Sequence, residues 1–260
     1  KRRMSNKDFP EGVALVFGGS GGIGRGVVKT LAEAGTDVAI AYRSKQDVAE
    51  KVADEVRAGN VKASTHATDV TDPDKVKATI DAVAAEHGRI HTIVFGAGPL
   101  VEQVFLADLT PELWQRAIDT ETKGFFNVVS AGLPHLKQGG GGSFVHMGSA
   151  GHMYYPPKDG LSVIPKAANE ALVKGIAKEE GVHNIRANSV LIGVIDAGMF
   201  HTLSEQGVFD EEWIRETHKM LCLKRWGEAE EVGHAVTWLA SSKAAYITGQ
   251  QINCSGGFGV

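Results

Sequence analysis

The chain has 260 residues, of which 43% are apolar and 22% charged, with 32 glycines and 8 prolines. This balance is typical of a folded globular protein and excludes a disordered chain. The formal net charge of −4 is too acidic for the basic surface that nucleic acid or an anionic membrane requires. We therefore expect neither of these partners.

The location of the protein can be predicted from segments that the sequence lacks. No apolar run approaches the ~20 residues that a membrane span needs, and the start of the chain lacks the apolar core of a signal peptide. Cys222 and Cys254 have no C-x-x-C spacing, so we expect reduced thiols. These features predict a cytoplasmic protein. The basic Lys1-Arg2-Arg3, a targeting tag or a free terminus, is left out of the fold prediction.

Short β-branched runs alternate with longer amphipathic stretches along the chain. The predicted strands are 13–17, 37–42, 61–67, 90–95, 143–147 and 185–191, and the predicted helices are 23–34, 47–58, 72–87, 111–136 and 165–180. Strands that are apolar along their whole length belong to parallel sheets covered by helices on both faces. The sequence therefore predicts an α/β fold, a single doubly wound Rossmann-type domain that covers residues 1–260.

One stretch, residues 197–224, breaks this rhythm. It is too long for an ordinary connection and too apolar for a linker. Its apolar side chains are Met199, Phe200, Leu203, Phe209, Trp213, Ile214 and Met220. Two interpretations have equal weight: a helical lid over a substrate cleft, or an oligomer interface.

A glycine-rich loop follows the first predicted strand and opens a helix. It runs from Gly18 through Ser20, Gly22 and Ile23 to Gly24. Backbone amides at such a turn and the positive helix N-terminus bind a pyrophosphate, and glycines let it approach closely. Arg25-Gly26 stands where a P-loop needs Lys-Ser/Thr, which disfavours a kinase or ATPase. The loop predicts a dinucleotide site, with a merely tight turn as the alternative.

The residues at the end of the second predicted strand indicate which dinucleotide the protein binds. An NAD-selective fold usually places an acidic residue here to bind the ribose 2′-hydroxyl. This chain instead has Arg43-Ser44, and a guanidinium suits a 2′-phosphate. We therefore predict NADP(H) as cofactor, the alternative being an exposed basic loop without this role.

From about Gly12 to Gly257 the sequence resembles the short-chain dehydrogenase/reductase family. The residues that carry the resemblance are Gly18-x-x-x-Gly22-Ile23-Gly24, Asp69-Val70, Gly148-Ser149, Lys166, and Ile247 to Gln250 with Ser255-Gly256-Gly257. Gly96, Ala97 and Gly98 are also expected to bind the cofactor. The resemblance implies that Asp69-Val70 holds the adenine and that Ser149 is the catalytic serine. It also implies that Lys166 grips the nicotinamide ribose, that 247–250 followed by 255–257 marks the C-terminal strand, and that the protein is a homotetramer or dimer.

The chain departs from the family at its general acid. The family motif Tyr-x-x-x-Lys reads Ser162-x-x-x-Lys166, and the thirteen-residue separation between Ser149 and Ser162 shows a replacement rather than a gap. Phe95-Gly96-Ala97-Gly98, Glu121 and Ile192-Gly193 also differ from the family pattern. Because Pro165 fits best in a first helical turn, Ser162 is either a helix N-cap or a hydrogen-bond donor to substrate.

Two sources could replace the missing proton donor. Tyr154 or Tyr155, with His152 a weaker candidate, would make the chain similar to the dienoyl-CoA reductase branch of the family. Alternatively, the two tyrosines form an aromatic turn that lines the cleft. Glu121 could be an acid if buried, although a helix Glu is more often solvated or ion-paired.

Three functional hypotheses follow. The first is an NADPH-dependent oxidoreductase that reduces an activated C=C or C=O bond of a small to medium apolar substrate. The second is a cofactor-binding protein without redox turnover, and the third a lyase or isomerase, which the intact cofactor loop disfavours. The histidines show no metal-ligand spacing, so we predict no zinc site.

Overall fold

The computed structural model describes residues 8–260, so the basic Lys1-Arg2-Arg3 lies outside the described residues. Seven parallel strands form one sheet in the order β3-β2-β1-β4-β5-β6-β7. They are β1 (Val13–Phe17), β2 (Asp37–Tyr42), β3 (Ala63–Ala67), β4 (Ile90–Phe95), β5 (Gly142–Ser149), β6 (Ile185–Ile192) and β7 (Gln251–Cys254). The strand order reverses between β1 and β4, which places a ligand crevice at the carboxyl ends of these two strands.

The helices connect successive strands and cover both faces of the sheet. They are α1 (Gly22–Glu33), α2 (Gln46–Arg57), α3 (Pro73–His87), α4 (Pro111–Ile118), α5 (Gly124–Gln138), α6 (Gly160–Glu180), α7 (Met199–Glu205), α8 (Glu211–Met220) and α9 (Ala229–Ala240). A single π-helical turn, Asp119–Lys123, joins α4 to α5. Within residues 8–260, no helix has both the length and the apolar character to cross a membrane.

The core consists of two apolar layers, one on each face of the sheet. On β1, Ala14 and Val16 belong to the layer under α1, α2 and α9, whereas Val13, Leu15 and Phe17 belong to the layer under α3, α5 and α6. All five side chains are buried because successive strand residues point to opposite faces and both faces are covered. The α/β doubly wound prediction is confirmed.

The beginning of α6 differs from the prediction. This helix begins at Gly160 with Asp159 as its N-cap, so Ser162 is its third residue and Pro165 its sixth. The N-cap interpretation of Ser162 is therefore wrong. A proline inside a helix forfeits one backbone hydrogen bond. Here the burial of Leu161, Val163 and Pro165 holds the helix despite this loss.

The last strand lies between the two segments that predicted it. The structure places β7 at Gln251–Cys254, after 247–250 and before 255–257. Gly249 has a φ of 71°, a left-handed backbone conformation that interrupts an extended strand. Cys254 at the end of β7 and Cys222 are both free thiols.

Residues 197–224 form two helices, α7 and α8, around an aromatic cluster. The rings of Phe209 and Trp213 stack with centroids 3.8 Å apart, and Phe200, Trp226 and His218 complete the cluster. A Cβ added at Gly22 would lie 2.4 Å from the Gly198 nitrogen, so the base of this segment touches the cofactor loop. The helical prediction is confirmed, and its role as a lid stays a prediction.

A buried histidine makes the stability of the fold depend on pH. His91 on β4 is 2% exposed, and its ring nitrogens hydrogen-bond the hydroxyls of Thr36 and Thr92, each at 2.9 Å. Burial, aided by the charge of Arg89, lowers the pKa of His91 to about 4. Its unfolded value is about 6.5. The contribution to stability is complete above the unfolded value and is lost as pH falls towards the folded one.

We expect the free energy of unfolding to fall by about 2–3 kcal/mol between pH 7.5 and pH 4 through His91 alone. Urea unfolding at a series of pH values measures the loss. His91→Gln, which cannot titrate, is expected to be less stable at pH 7.5 and to lose less on acidification. Equal pH dependence in both proteins would contradict this assignment.

Candidate active site

The cofactor loop is built by close backbone approaches. Gly18 has a φ of 82°, and its carbonyl oxygen accepts a hydrogen bond from the Gly21 amide at 3.0 Å. A Cβ at Gly24 would lie 2.1 Å from that same oxygen. Because no side chain fits there, the first turn of α1 can approach the end of β1. The amides of this turn remain available to an anion.

The loop after β4 lies beside the loop after β1. The Gly96 amide donates to the carbonyl of Phe17 at 3.0 Å, and a Cβ at Gly18 would meet the Gly96 oxygen at 2.6 Å. Ala97 and Gly98 continue this edge, where a Cβ at Gly98 would lie 2.4 Å from the carboxylate of Glu121. The predicted residues of both loops are therefore brought together at the switch point of the sheet.

The predicted 2′-phosphate and adenine residues lie at the far end of this crevice. Arg43 and Ser44 are exposed, and Arg43 forms no ion pair within residues 8–260. Hydrogen bonds from the amide and hydroxyl of Thr71 lower the pKa of Asp69, and the charge of Arg43 lowers it further. Asn127 of α5 donates to the Val70 carbonyl at 2.9 Å and so fixes this turn.

An open cavity of about 700 Å³ begins at this end of the crevice. Arg43, Asp69 and Thr71 line one side, and the opposite side consists of Pro111, Glu112, Gln115, Arg116, Asp119 and Thr120. It contains none of the predicted catalytic residues. Its position suits the adenosine part of a dinucleotide rather than the reacting part.

Ser149 ends β5 on the other side of the crevice. Its hydroxyl oxygen accepts a hydrogen bond from the Gly151 amide at 3.1 Å, which fixes the rotamer and leaves the hydroxyl proton free. A Cβ at Gly151 would lie 2.5 Å from the Val163 side chain, so this turn packs on the first turns of α6. Ser149 is thereby held near the helix that carries Ser162 and Lys166.

Lys166 is ion-paired with Glu121, the residue that replaces the family asparagine. The ammonium hydrogen-bonds Oε1 of Glu121, whose side chain is 3% exposed against 18% for Lys166. The Thr122 hydroxyl donates to the Pro165 carbonyl at 3.1 Å and ties the π-helical turn to α6. Of the two alternatives for Glu121, the structure shows the buried ion pair.

A series of buried polar side chains, joined by hydrogen bonds, continues from this pair into the sheet. Asn169 donates to the Glu121 carbonyl at 3.2 Å and lies 3.2 Å from Nε2 of His146. The other ring nitrogen of His146 hydrogen-bonds Glu170 at 3.0 Å, and the Ser189 hydroxyl donates to the same carboxylate at 2.6 Å. Each of these side chains is buried.

Glu170 is the charged end of this series of hydrogen-bonded side chains. Burial raises its pKa, but hydrogen bonds from His146, Ser189 and Gln251 outweigh burial, so the pKa of Glu170 lies below its ordinary value. Glu170 is therefore a carboxylate at neutral pH. Asn169 and Glu170 follow Lys166 by three and four residues, and that helical spacing is the sequence signal that could have revealed them.

The two predicted tyrosines lie in the turn between β5 and α6, with His152 exposed beside them. Tyr154 is 54% exposed and packs edge-on against Phe258, with ring centroids 5.5 Å apart. The Tyr155 hydroxyl lies against Gly160, where an added Cβ would be 2.9 Å from it. Within residues 8–260 neither hydroxyl has a hydrogen bond to Ser149, Ser162 or Lys166. Their catalytic role stays a prediction.

Glycine-rich loops at the switch point, with a serine at the end of β5 and a lysine on α6, define a dinucleotide-binding α/β protein. A family described as enoyl-(acyl carrier protein) reductase matches residues 18–259. The chain belongs to the short-chain dehydrogenase/reductase family and is an oxidoreductase of that type.

Two curated relatives support the same assignment. The chain is 33% identical over 244 residues to the 3-oxoacyl-(acyl-carrier-protein) reductase FabG of Staphylococcus aureus strain Mu50, covering 94% of this chain and 96% of that protein. It is 32% identical over 249 residues to the uncharacterized oxidoreductase YgfF of Escherichia coli K12, with 94% and 99% coverage.

Two solved structures superpose closely on this chain. A short-chain type dehydrogenase/reductase from Mycobacterium ulcerans has a TM-score of 0.89 at 31% identity, covering 96% of this chain and 90% of that one. A blue fluorescent protein from a metagenomic library, solved in complex with NADPH, has a TM-score of 0.87 at 26% identity, with 97% and 100% coverage.

Proposed function

We propose that this protein is an NADPH-dependent oxidoreductase that reduces an activated C=C or C=O bond of a small to medium apolar substrate. The observation that carries this proposal is the position of Lys166 and Ser149 at the same sheet edge as the glycine loops after β1 and β4. A dinucleotide bound along that edge would supply a hydride. The chain's own residues would bind it, orient the substrate and supply a proton.

The residues present fit an NADP cofactor. Gly24 lies against the Gly18 carbonyl, and the space that a cofactor phosphate would need beside them would be filled by a Cβ at Gly24. Arg43, which has no ion-pair partner from residue 8 to 260, lines the cavity of about 700 Å³, and the exposed Ser44 follows it in the chain. Lys166 and Ser149 would lie at the nicotinamide end.

The printed names of relatives suggest a substrate class. The substrate of a 3-oxoacyl reductase has a ketone β to a thioester carbonyl, and the substrate of an enoyl reductase has an alkene conjugated to one. We propose acyl thioesters as the first substrates to test. NADPH oxidation should be followed with β-ketoacyl thioesters, enoyl thioesters, enones and simple ketones. If none is reduced, the proposal fails.

Arg43 should determine the cofactor preference. We expect Arg43→Ala to weaken NADPH about tenfold or more and to leave NADH nearly unchanged, because only NADPH carries the 2′-phosphate that a guanidinium binds. Isothermal calorimetry with both cofactors measures the difference. Arg57→Ala, which removes another exposed arginine in ion pairs on α2, is the control. Equal dissociation constants for NADPH and NADH in the wild type would contradict the proposal.

A second candidate is a protein that binds the cofactor without turnover. Two observations favour it: Ser162 lacks the acidity of a tyrosine, and Lys166 is bound to a carboxylate. The substrate panel separates the candidates, because cofactor binding without any NADPH oxidation would favour the second. A cytoplasmic location and a homodimer or homotetramer are further proposals, supported by the family resemblance.

A further inference from the structure

A carboxyl group lies on the same helix face as Ser162 and Lys166. Asp159 is the N-cap of α6, three residues before Ser162 and seven before Lys166. Seven residues are close to two turns of an α-helix, so positions 159 and 166 share a face, and position 162 lies beside them. The Asp159 side chain makes no capping hydrogen bond to its own helix. Capping therefore does not explain this aspartate.

The carboxyl is instead bound to the loop that follows β4. Gln103 donates from Nε2 to Oδ1 of Asp159 at 3.0 Å, and Val104 forms an isolated parallel bridge with the Asp159 backbone. Within residues 8–260, Oδ2 has no hydrogen-bond partner. One oxygen is thus oriented by the protein, and the other is free to bind a substrate atom.

Burial, rather than a neighbouring charge, favours a proton on Asp159. Burial raises its pKa, and the Gln103 hydrogen bond and the charge of Lys166 oppose that rise only in part. The other titratable groups at this end of the cleft are Lys158, Tyr155 and Glu102, and the Lys158 ammonium is exposed to solvent, which screens its charge. Lys158 lies over the Phe105 ring, the Tyr155 hydroxyl lies at Gly160, and Glu102 is bound to Arg116 of α4.

The ion pair between Lys166 and Glu121 makes a carboxyl the better donor. A hydroxyl or phenol, with a pKa of about 10 or above, needs a nearby uncompensated cation to donate a proton at neutral pH. Glu121 already compensates the charge of Lys166. A carboxyl group needs no such help, because its ordinary pKa lies well below neutrality and burial moves it towards the working range.

We propose that Asp159 is the proton donor of the reduction, in place of the tyrosine that Ser162 replaces. This rests on the proposed function. The carbon of the C=O bond, or the β-carbon of an enoyl group, gains a hydride from the reduced nicotinamide dinucleotide. The π electron pair moves to oxygen or to the α-carbon, which takes the proton of Asp159. The resulting carboxylate recovers a proton from water, and the oxidised dinucleotide leaves.

Asp159→Asn tests this step, because asparagine keeps the oxygen that Gln103 binds and removes the proton. We expect kcat to fall about 10²–10⁴-fold, with KM and the NADPH dissociation constant nearly unchanged. The wild-type kcat should decline as pH rises through the pKa of Asp159, and that decline should be missing in the variant. Asp72→Asn, the same change at the N-cap of α3, is the matched control and should retain full activity.

Gln103→Leu provides a second measurement if Asp159→Asn does not fold. Loss of the hydrogen bond that lowers the pKa of Asp159 should move the alkaline decline of kcat to higher pH. Suppose that the wild type reduces a substrate. If Asp159→Asn then keeps the wild-type kcat and pH profile, or if the alkaline decline of kcat in Gln103→Leu stays at the wild-type pH, the assignment of Asp159 is overturned and the proposed function stands. A wild type that reduces no substrate of the panel overturns the proposed function and this assignment with it.

Discussion

Lys166→Ala is expected to abolish reduction and to destabilise the fold at the same time. The family resemblance implies that this lysine hydrogen-bonds the nicotinamide ribose, and loss of one such charged contact weakens binding about 10- to 100-fold. The same change leaves the buried Glu121 carboxylate without its cation. Breaking a buried ion pair costs about 3–5 kcal/mol. A low activity alone would therefore not separate chemistry from folding.

The double variant Lys166→Ala/Glu121→Gln separates the two effects. Glutamine is neutral, so the double variant should recover most of the unfolding free energy that Lys166→Ala loses. It should still bind NADPH weakly and reduce nothing. Urea unfolding, NADPH fluorescence titration and the substrate panel measure the three quantities. If the double variant regains both stability and activity, Lys166 serves only to compensate Glu121.

Gly24→Ala is expected to close the cofactor site. The added methyl group would lie 2.1 Å from the Gly18 carbonyl oxygen, so either the loop after β1 or the first turn of α1 must move. Overpacking of this kind costs about 1–3 kcal/mol, which corresponds to about a 5- to 150-fold loss of affinity where it falls on binding. We expect NADPH binding to weaken by at least this factor.

Gly175→Ala is the matched control for this substitution. Gly175 lies inside α6, and no atom outside the helix backbone lies within 4 Å of a Cβ added there. We expect this variant to bind NADPH normally and to gain about 0.5–1 kcal/mol of stability, because alanine favours a helix over glycine. Normal NADPH binding by Gly24→Ala would show that the cofactor does not use this loop.

The sequence alone determined the order of the strands and helices and the cofactor loop. The spacing of apolar residues indicates which face of each element is buried, and glycines at fixed spacing indicate where two backbone segments pack closely. For this reason β1, β2 and β4 have the predicted bounds, and the loop from Gly18 to Gly24 lies where expected. The predicted start of α6 was wrong, because the burial of its first turns stabilises the helix although Pro165 removes one backbone hydrogen bond.

The surroundings of Lys166 follow from the assembled fold and not from any local pattern of residues. Glu121, forty-five residues away along the chain, forms its ion pair, and Asp159 is held by Gln103 from a loop fifty-six residues away. Neither partner shows in a local pattern, because an isolated Glu or Asp is solvated in most contexts. Their surroundings matter here because the packing of α6 against the π-helical turn and the loop after β4 buries Glu121 and leaves Asp159 only partly exposed, and that burial is a property of the assembled fold.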